Sequence, residues 1–107
     1  MTVRDIAGLE DIEVCYEYEE NRDVDNIFCC DLLSVAMARA TENSVWITVM
    51  GNANVVAVAT LADVSCIVIA EGYSFDEAAL AAARGKITLL KSPRSIYETA
   101  VEIGRLL

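Results

Sequence analysis

The stretch Asp31 to Asp63, DLLSVAMARATENSVWITVMGNANVVAVATLAD, constrains the fold of this chain more than any other. In its first part Leu32, Val35, Ala36 and Ala40 recur at helical spacing, with Leu33 and Met37 beside them. Asp31 stands where it would cap that helix, and Thr41-Glu42-Asn43 ends it. Ser44 to Met50, SVWITVM, is rich in β-branched and aromatic residues and reads as a central strand. Gly51 to Asn54 is a turn. Val55 to Ala62 is apolar throughout, so periodicity alone does not decide between helix and strand. Asn54 in a capping position and the alanines at 57, 59 and 62 favour a buried helix.

The rest of the chain extends this alternation. Thr2 to Leu9 reads as a short helix capped by Thr2, and Ile12 to Tyr16 as an edge strand. Ile27 to Cys30 reads as a short buried strand. Ser65 to Ala70, SCIVIA, lacks polar alternation and suits a strand covered on both faces. Glu71-Gly72-Tyr73 turns the chain. Ser74 and Glu77 have capping-box spacing ahead of the alanine-rich EAALAAAR, which Gly85 ends. Ile87 to Leu90 is the last strand. A second box, Ser95 and Glu98, opens a helix to about Leu106, with Ile96, Ala100, Ile103 and Leu107 on one stripe. Strands alternating with helices predict a three-layer α/β/α fold with a mostly parallel sheet of four or five strands. At 107 residues the chain is expected to be a single domain, 1–107.

Composition narrows the function classes. Fifty-five per cent hydrophobic residues and 23% charged ones supply a core and argue against disorder. The net charge of −9 is uneven. Residues 1–31 hold ten acids against Arg4 and Arg22, whereas the remaining residues hold seven acids against six bases. The acidity centres on Glu17 to Asp25, EYEENRDVD. A solvated acidic loop is the plain reading, and a docking surface for a basic partner or a weak divalent-cation site the sharper one. The spacing does not fit an EF-hand loop. With no basic stripe to neutralise phosphates, nucleic acid is not an expected partner. No apolar run reaches the ~18 residues of a membrane span, and the first residues lack a basic start and an apolar h-region. A cytoplasmic protein without a membrane partner is therefore expected.

Catalytic signatures are absent. There is no histidine, hence no histidine-based triad and no mixed zinc site. Gly85-Lys86-Ile87-Thr88 imitates the end of a phosphate-binding loop. However, Leu80 occupies the first glycine position, and the lysine precedes a strand instead of opening a helix. Glu19 and Glu20 lie in a loop with nothing to separate their acidities. No dinucleotide fingerprint occurs, so no cofactor, no metal and no catalytic residue is expected. Cys15, Cys29, Cys30 and Cys66 read as reduced, mostly buried small hydrophobes, with a redox role for Cys29 or Cys30 as the alternative. Trp46 reads as core or as a subunit-interface anchor.

Ligands of parallel sheets bind at strand carboxyl ends. Three such ends are named by the sequence: Met50 to Asn54, Glu71 to Ser74, and Lys91 to Ser95. The last two open onto capped helices, whose free N–H groups favour anions, and Lys91 and Arg94 add positive charge. The candidate ligand-binding residues are Gly51, Asn52, Asn54, Gly72, Ser92, Arg94 and Ser95, with a small anion as ligand.

The order of these elements over roughly residues 22–104 resembles the DRTGG domain family. DLLSVAMARA followed by SVWITV is similar to its helix-then-strand segment, NVVAVATLAD to its next short helix, and CIVIAEGYSFDEAALAAARGKITLLKSPRSIYETA to its C-terminal half. The chain departs from the family at the name-giving glycine pair, whose positions fall near Asn26 and Ile27. Such domains occur in phosphate acetyltransferases, in pyrophosphatases that carry CBS domains, and as small free-standing proteins near iron-hydrogenase genes. They resemble in fold the N-terminal domain of HPr kinase/phosphorylase. The resemblance implies a regulatory, homodimeric or ligand-sensing module, with a nucleotide or other phosphorylated metabolite as the ligand class. A protein-binding accessory subunit using residues 17–25, linked to anaerobic redox metabolism, is the alternative. Kinase activity, with which short members are labelled, is not expected without a phosphate-binding loop.

Overall fold

A computed structural model describes residues 1–107. Five helices and five strands follow one another as α1 (Val3–Ala7), β1 (Glu13–Tyr16), β2 (Asn26–Cys29), α2 (Leu33–Arg39), β3 (Ser44–Thr48), α3 (Ala53–Leu61), β4 (Cys66–Ile69), α4 (Glu77–Ala83), β5 (Thr88–Lys91) and α5 (Ile96–Gly104). The sheet order is β1-β5-β4-β3-β2. β2 to β5 are mutually parallel, and β1 runs antiparallel to β5 with Glu13 opposite Lys91. Each parallel neighbour needs a crossover, and the intervening helices supply it.

The apolar strands divide between two layers because successive side chains point to opposite faces. Trp46, Ile67, Ile69 and Leu89 face α2, α3 and α4. Val45, Ile47, Cys66, Val68 and Leu90 face α1 and α5. With both faces covered, β3 and β4 are buried at every residue, which explains their lack of polar alternation. Trp46 lies in the core, its Nε1 donating to the Cys30 carbonyl at 2.9 Å and its ring 6.1 Å from that of Phe28.

Several local expectations are corrected. β2 is not a buried strand. It closes the sheet at an edge, pairs only with β3, and leaves Asn26 and Cys29 exposed. Of the cysteines only Cys66 is fully buried; Cys15 and Cys30 are half-buried and all four are free thiols. Asp31 does not cap α2, whose N-cap is Leu32 without a side-chain bond. The Asp31 carboxylate instead accepts from Thr48 Oγ1 and Val49 N, both at 2.8 Å, fixing the end of β3. The apolar stripe of α2 buries only Ala36, while Leu32, Val35 and Met37 are exposed. Asn52, not Asn54, caps α3 by accepting from Val55 N. Asp76 replaces Ser74 as cap of α4, accepting from Ala79 N, and Ser74 Oγ accepts from Lys91 Nζ instead. The Ser95–Glu98 box is present as expected, although α5 ends at Gly104 and leaves Leu107 exposed.

The acidic stretch 17–25 is a strap across the amino ends of the parallel strands, joining one sheet edge to the other. Tyr18 N donates to Thr88 Oγ1, Ser65 Oγ to the Asp23 carbonyl, and Val24 N to the Met1 carbonyl. Arg22 turns inward beneath it. Its guanidinium bonds Asp63 Oδ1, the Asp63 and Val64 carbonyls, and Asn43 Oδ1. Asn43 and Asp63 both hold left-handed backbone, φ 61° and 60°, so one side chain secures the two strained turns before β3 and β4.

Candidate functional site

The seven residues named from the sequence all lie at the carboxyl edge of the sheet, but the structure gathers only four of them. Gly72, Ser92, Arg94 and Ser95 form one corner. Gly72 N donates to the Ser92 carbonyl, and Glu71 N to the Arg94 carbonyl. Gly51, Asn52 and Asn54 belong to the turn into α3. Gly51 is there for packing: a Cβ on it would lie 2.4 Å from the Ser74 carbonyl oxygen and 2.9 Å from Ile69 Cδ1. The Gly51 carbonyl accepts from Asp76 N, locking the two turns together. Asn52 is used as the α3 cap, and Asn54 is exposed on the first turn of that helix.

At α5 the positions expected to attract an anion are held by the protein's own groups. Ile96 N donates to Glu71 Oε2 at 3.0 Å, and Glu98 N to Ser95 Oγ at 3.0 Å. Lys91 is bound to Ser74. Arg94 meets Asp11, its Nε 2.8 Å from Oδ2 and its Nη2 on the same oxygen. That hydrogen bond first, then the Asp11 charge, raises the Arg94 pKa above its ordinary value, with Glu102 and Glu98 adding to the effect.

Beside this pair lies a cavity of about 110 Å³. Ser92 and Thr99 form its buried polar floor, their hydroxyl oxygens 2.8 Å apart. Leu9, Ile12 and Ile103 give it apolar wall, and Glu10, Asp11, Arg94 and Glu102 its charged rim. The α1–β1 turn and the inner face of α5 were not among the residues expected from the sequence. The signal that brings the turn in is the direction of β1. An antiparallel edge strand must begin where its parallel neighbour ends, so Leu9 to Ile12 arrive beside Ser92. Thr99 and Ile103 lie one helical turn apart on the face that α5 buries.

Elsewhere, no three Cys, Asp or Glu side chains converge as a metal-ligand set. No helix is long and apolar enough to cross a membrane. Burial pushes the Cys66 thiol up to about 12. Burial also raises Cys15 and Cys29, with Glu13 and Asp31 respectively adding to it. The sequence matches no protein-family model, and no curated protein matches it.

Proposed function

We propose that this chain is a non-catalytic regulatory module of the DRTGG kind, working as a homodimer and binding a small ligand through an anionic group. The observation that carries the ligand reading is the cavity at the end of β5, where Arg94 stands over the buried Ser92–Thr99 pair. Its volume lies below the ~300–1,000 Å³ of pockets for drug-sized ligands, which favours a compact metabolite over a whole nucleotide. The non-catalytic reading is supported by the polar side chains along this edge. Asn52, Asp76 and Ser95 cap helices and Asp31 holds β3, while the one hydroxyl against a basic group, Ser74, is exposed and accepts from the Lys91 ammonium instead of giving up a proton to it. Raised thiol pKa values are the reverse of what a nucleophilic cysteine needs.

Dimerisation is supported by the apolar side chains that α2 and α3 leave in solvent, with Leu32 59%, Met37 65% and Leu61 84% exposed. A thermal-shift screen of small carboxylates, phosphates and nucleotides tests the ligand reading. A ligand at 100 times its Kd adds ~2.7 kcal/mol to stability. No shift with any compound, from protein that melts cooperatively, rejects that reading. Sedimentation analysis giving only monomer at millimolar concentration rejects the dimer.

A second reading is favoured by the strap. Its backbone is pinned at Tyr18, Asp23 and Val24, so Glu17, Glu19 and Glu20 project exposed carboxylates from a held backbone toward a basic partner. Charge reversal at those three positions would abolish such binding, and capture unaltered by reversal rejects it.

A further inference from the structure

Ser92 and Thr99 are each about 1% exposed and touch through their hydroxyl oxygens. Two hydroxyls in one contact carry two protons and spend one between them. Ser92 Oγ additionally accepts from Arg94 N at 3.2 Å, which uses acceptor capacity and leaves the proton count unchanged. The second proton has no acceptor on the protein. In α3, Thr60 returns its hydroxyl to the Val56 carbonyl one turn back, but Thr99 makes no such bond in α5. Buried donors almost always find a partner. Both side chains line the cavity, so an acceptor group seated there would take that proton.

The rim supplies the remaining chemistry. Arg94 spends Nε and Nη2 on one oxygen of Asp11 and keeps Nη1 free. Glu10 has no cationic or hydrogen-bonding partner on the protein, and Glu102 is bound only by Arg105 at 3.3 Å. Three carboxylates against one guanidinium disfavour a phosphate dianion, and they do not converge on a point where a metal ion could sit. A donor floor with a free guanidinium N–H, beside the unpaired Glu10 carboxylate and a short apolar wall, matches a molecule carrying both charges.

We propose that the cavity binds a small neutral α-amino acid. Its carboxylate takes the free hydroxyl proton of the Ser92–Thr99 pair and Arg94 Nη1. Its ammonium faces Glu10 and Glu102, and its aliphatic side chain lies against Leu9, Ile12 and Ile103. This rests on the reading of the carboxyl edge as a ligand site, and it names the ligand class.

Titration calorimetry on the whole chain tests it with L-alanine, glycine, L-serine and L-valine, with propionate and ethylamine as half-molecules, and with inorganic phosphate and adenosine monophosphate. The expected result is saturable alanine binding at least tenfold tighter than either half-molecule. Arg94→Gln and Glu10→Gln, both surface changes that leave the core intact, should each weaken it about tenfold. Alanine binding unaffected by both variants overturns the assignment. Binding of phosphate or the nucleotide but not of alanine, glycine, serine or valine overturns the amino-acid proposal while the ligand-site reading stands. Silence from every compound overturns both.

Discussion

Arg94 and Asp11, 83 positions apart in the chain, meet at 2.8 Å and join the loop between β5 and α5 to the turn before β1. The pair spans the mouth of the cavity and balances one of its three carboxylates. Both partners are about two-fifths exposed, so the contact positions Arg94 far more than it stabilises the fold. Asp11→Asn is expected to leave the melting temperature essentially unchanged while altering ligand affinity. Calorimetric melts beside binding isotherms check both halves, and a large loss of stability would show that the pair is structural.

Gly51 should tolerate no side chain. Its absent Cβ would meet backbone at Ser74 and Phe75 as well as the Ile69 side chain, so relief requires moving one turn away from the other. Gly51→Ala is expected to cost about 1–3 kcal/mol, read as a lower denaturation midpoint with an unchanged slope. Wild-type stability would show that the two turns are not locked.

Arg22 is the clamp of the amino edge. Its side chain is 16% exposed and makes four hydrogen bonds, three of them to the residues at left-handed φ. Arg22→Ala is expected to cost about 2–3 kcal/mol. Arg22→Lys should recover little, because an ammonium cannot reproduce the planar fork. Urea denaturation of the three proteins measures this. Full recovery by lysine would mean that charge alone matters there.

Cys66 makes stability fall at alkaline pH. Its thiol titrates at about 12 in the fold against 9.0 as the ordinary value, so the native state holds the proton more tightly. The contribution is complete below pH 9 and is lost as pH rises toward 12, up to roughly 4 kcal/mol for three pKa units. Cys15 and Cys29 shift in the same direction and act with the same sign. Cys66→Val should flatten the decline between pH 9 and 11 in denaturation curves, and an unchanged slope would refute the assignment. Alkylation should reach exposed Cys29 first and Cys66 last.

The exposed apolar residues of α2 and α3 give a fifth prediction. Met37→Glu with Leu61→Glu should abolish the proposed dimer by sedimentation without changing helix content. If the dimer persists, the contact lies elsewhere.

Much of the layer order was legible in the sequence, because strands covered on both faces read as unbroken apolar runs such as Cys66–Ile69. What escaped was decided by strand order. Ile27 and Phe28 look as apolar as the residues of β4, yet β2 is an edge, and it lacks the alternation of apolar and polar residues that marks the other edge, β1, in the sequence. The caps show the same limit. Asp31, Asn54 and Ser74 are all good cap residues, but the chain path gave α3 and α4 to Asn52 and Asp76 and left α2 without a side-chain cap. At the site, Ser92 and Arg94 were visible as the end of a strand. Asp11 and Thr99 were not, since they reach the cavity only through the antiparallel pairing of β1 and the buried face of α5.

Amide chemical-shift mapping of the uniformly ¹⁵N-labelled chain during an alanine titration tests the ligand site most directly. The account predicts saturable shifts confined to Leu9–Ile12, Ser92–Ser95 and Thr99–Ile103, together with a shift of the Arg94 Nε–H resonance. Shifts centred on the strap from Tyr18 to Asp25, or none from alanine or any other amino acid or phosphate at millimolar concentration, would contradict it.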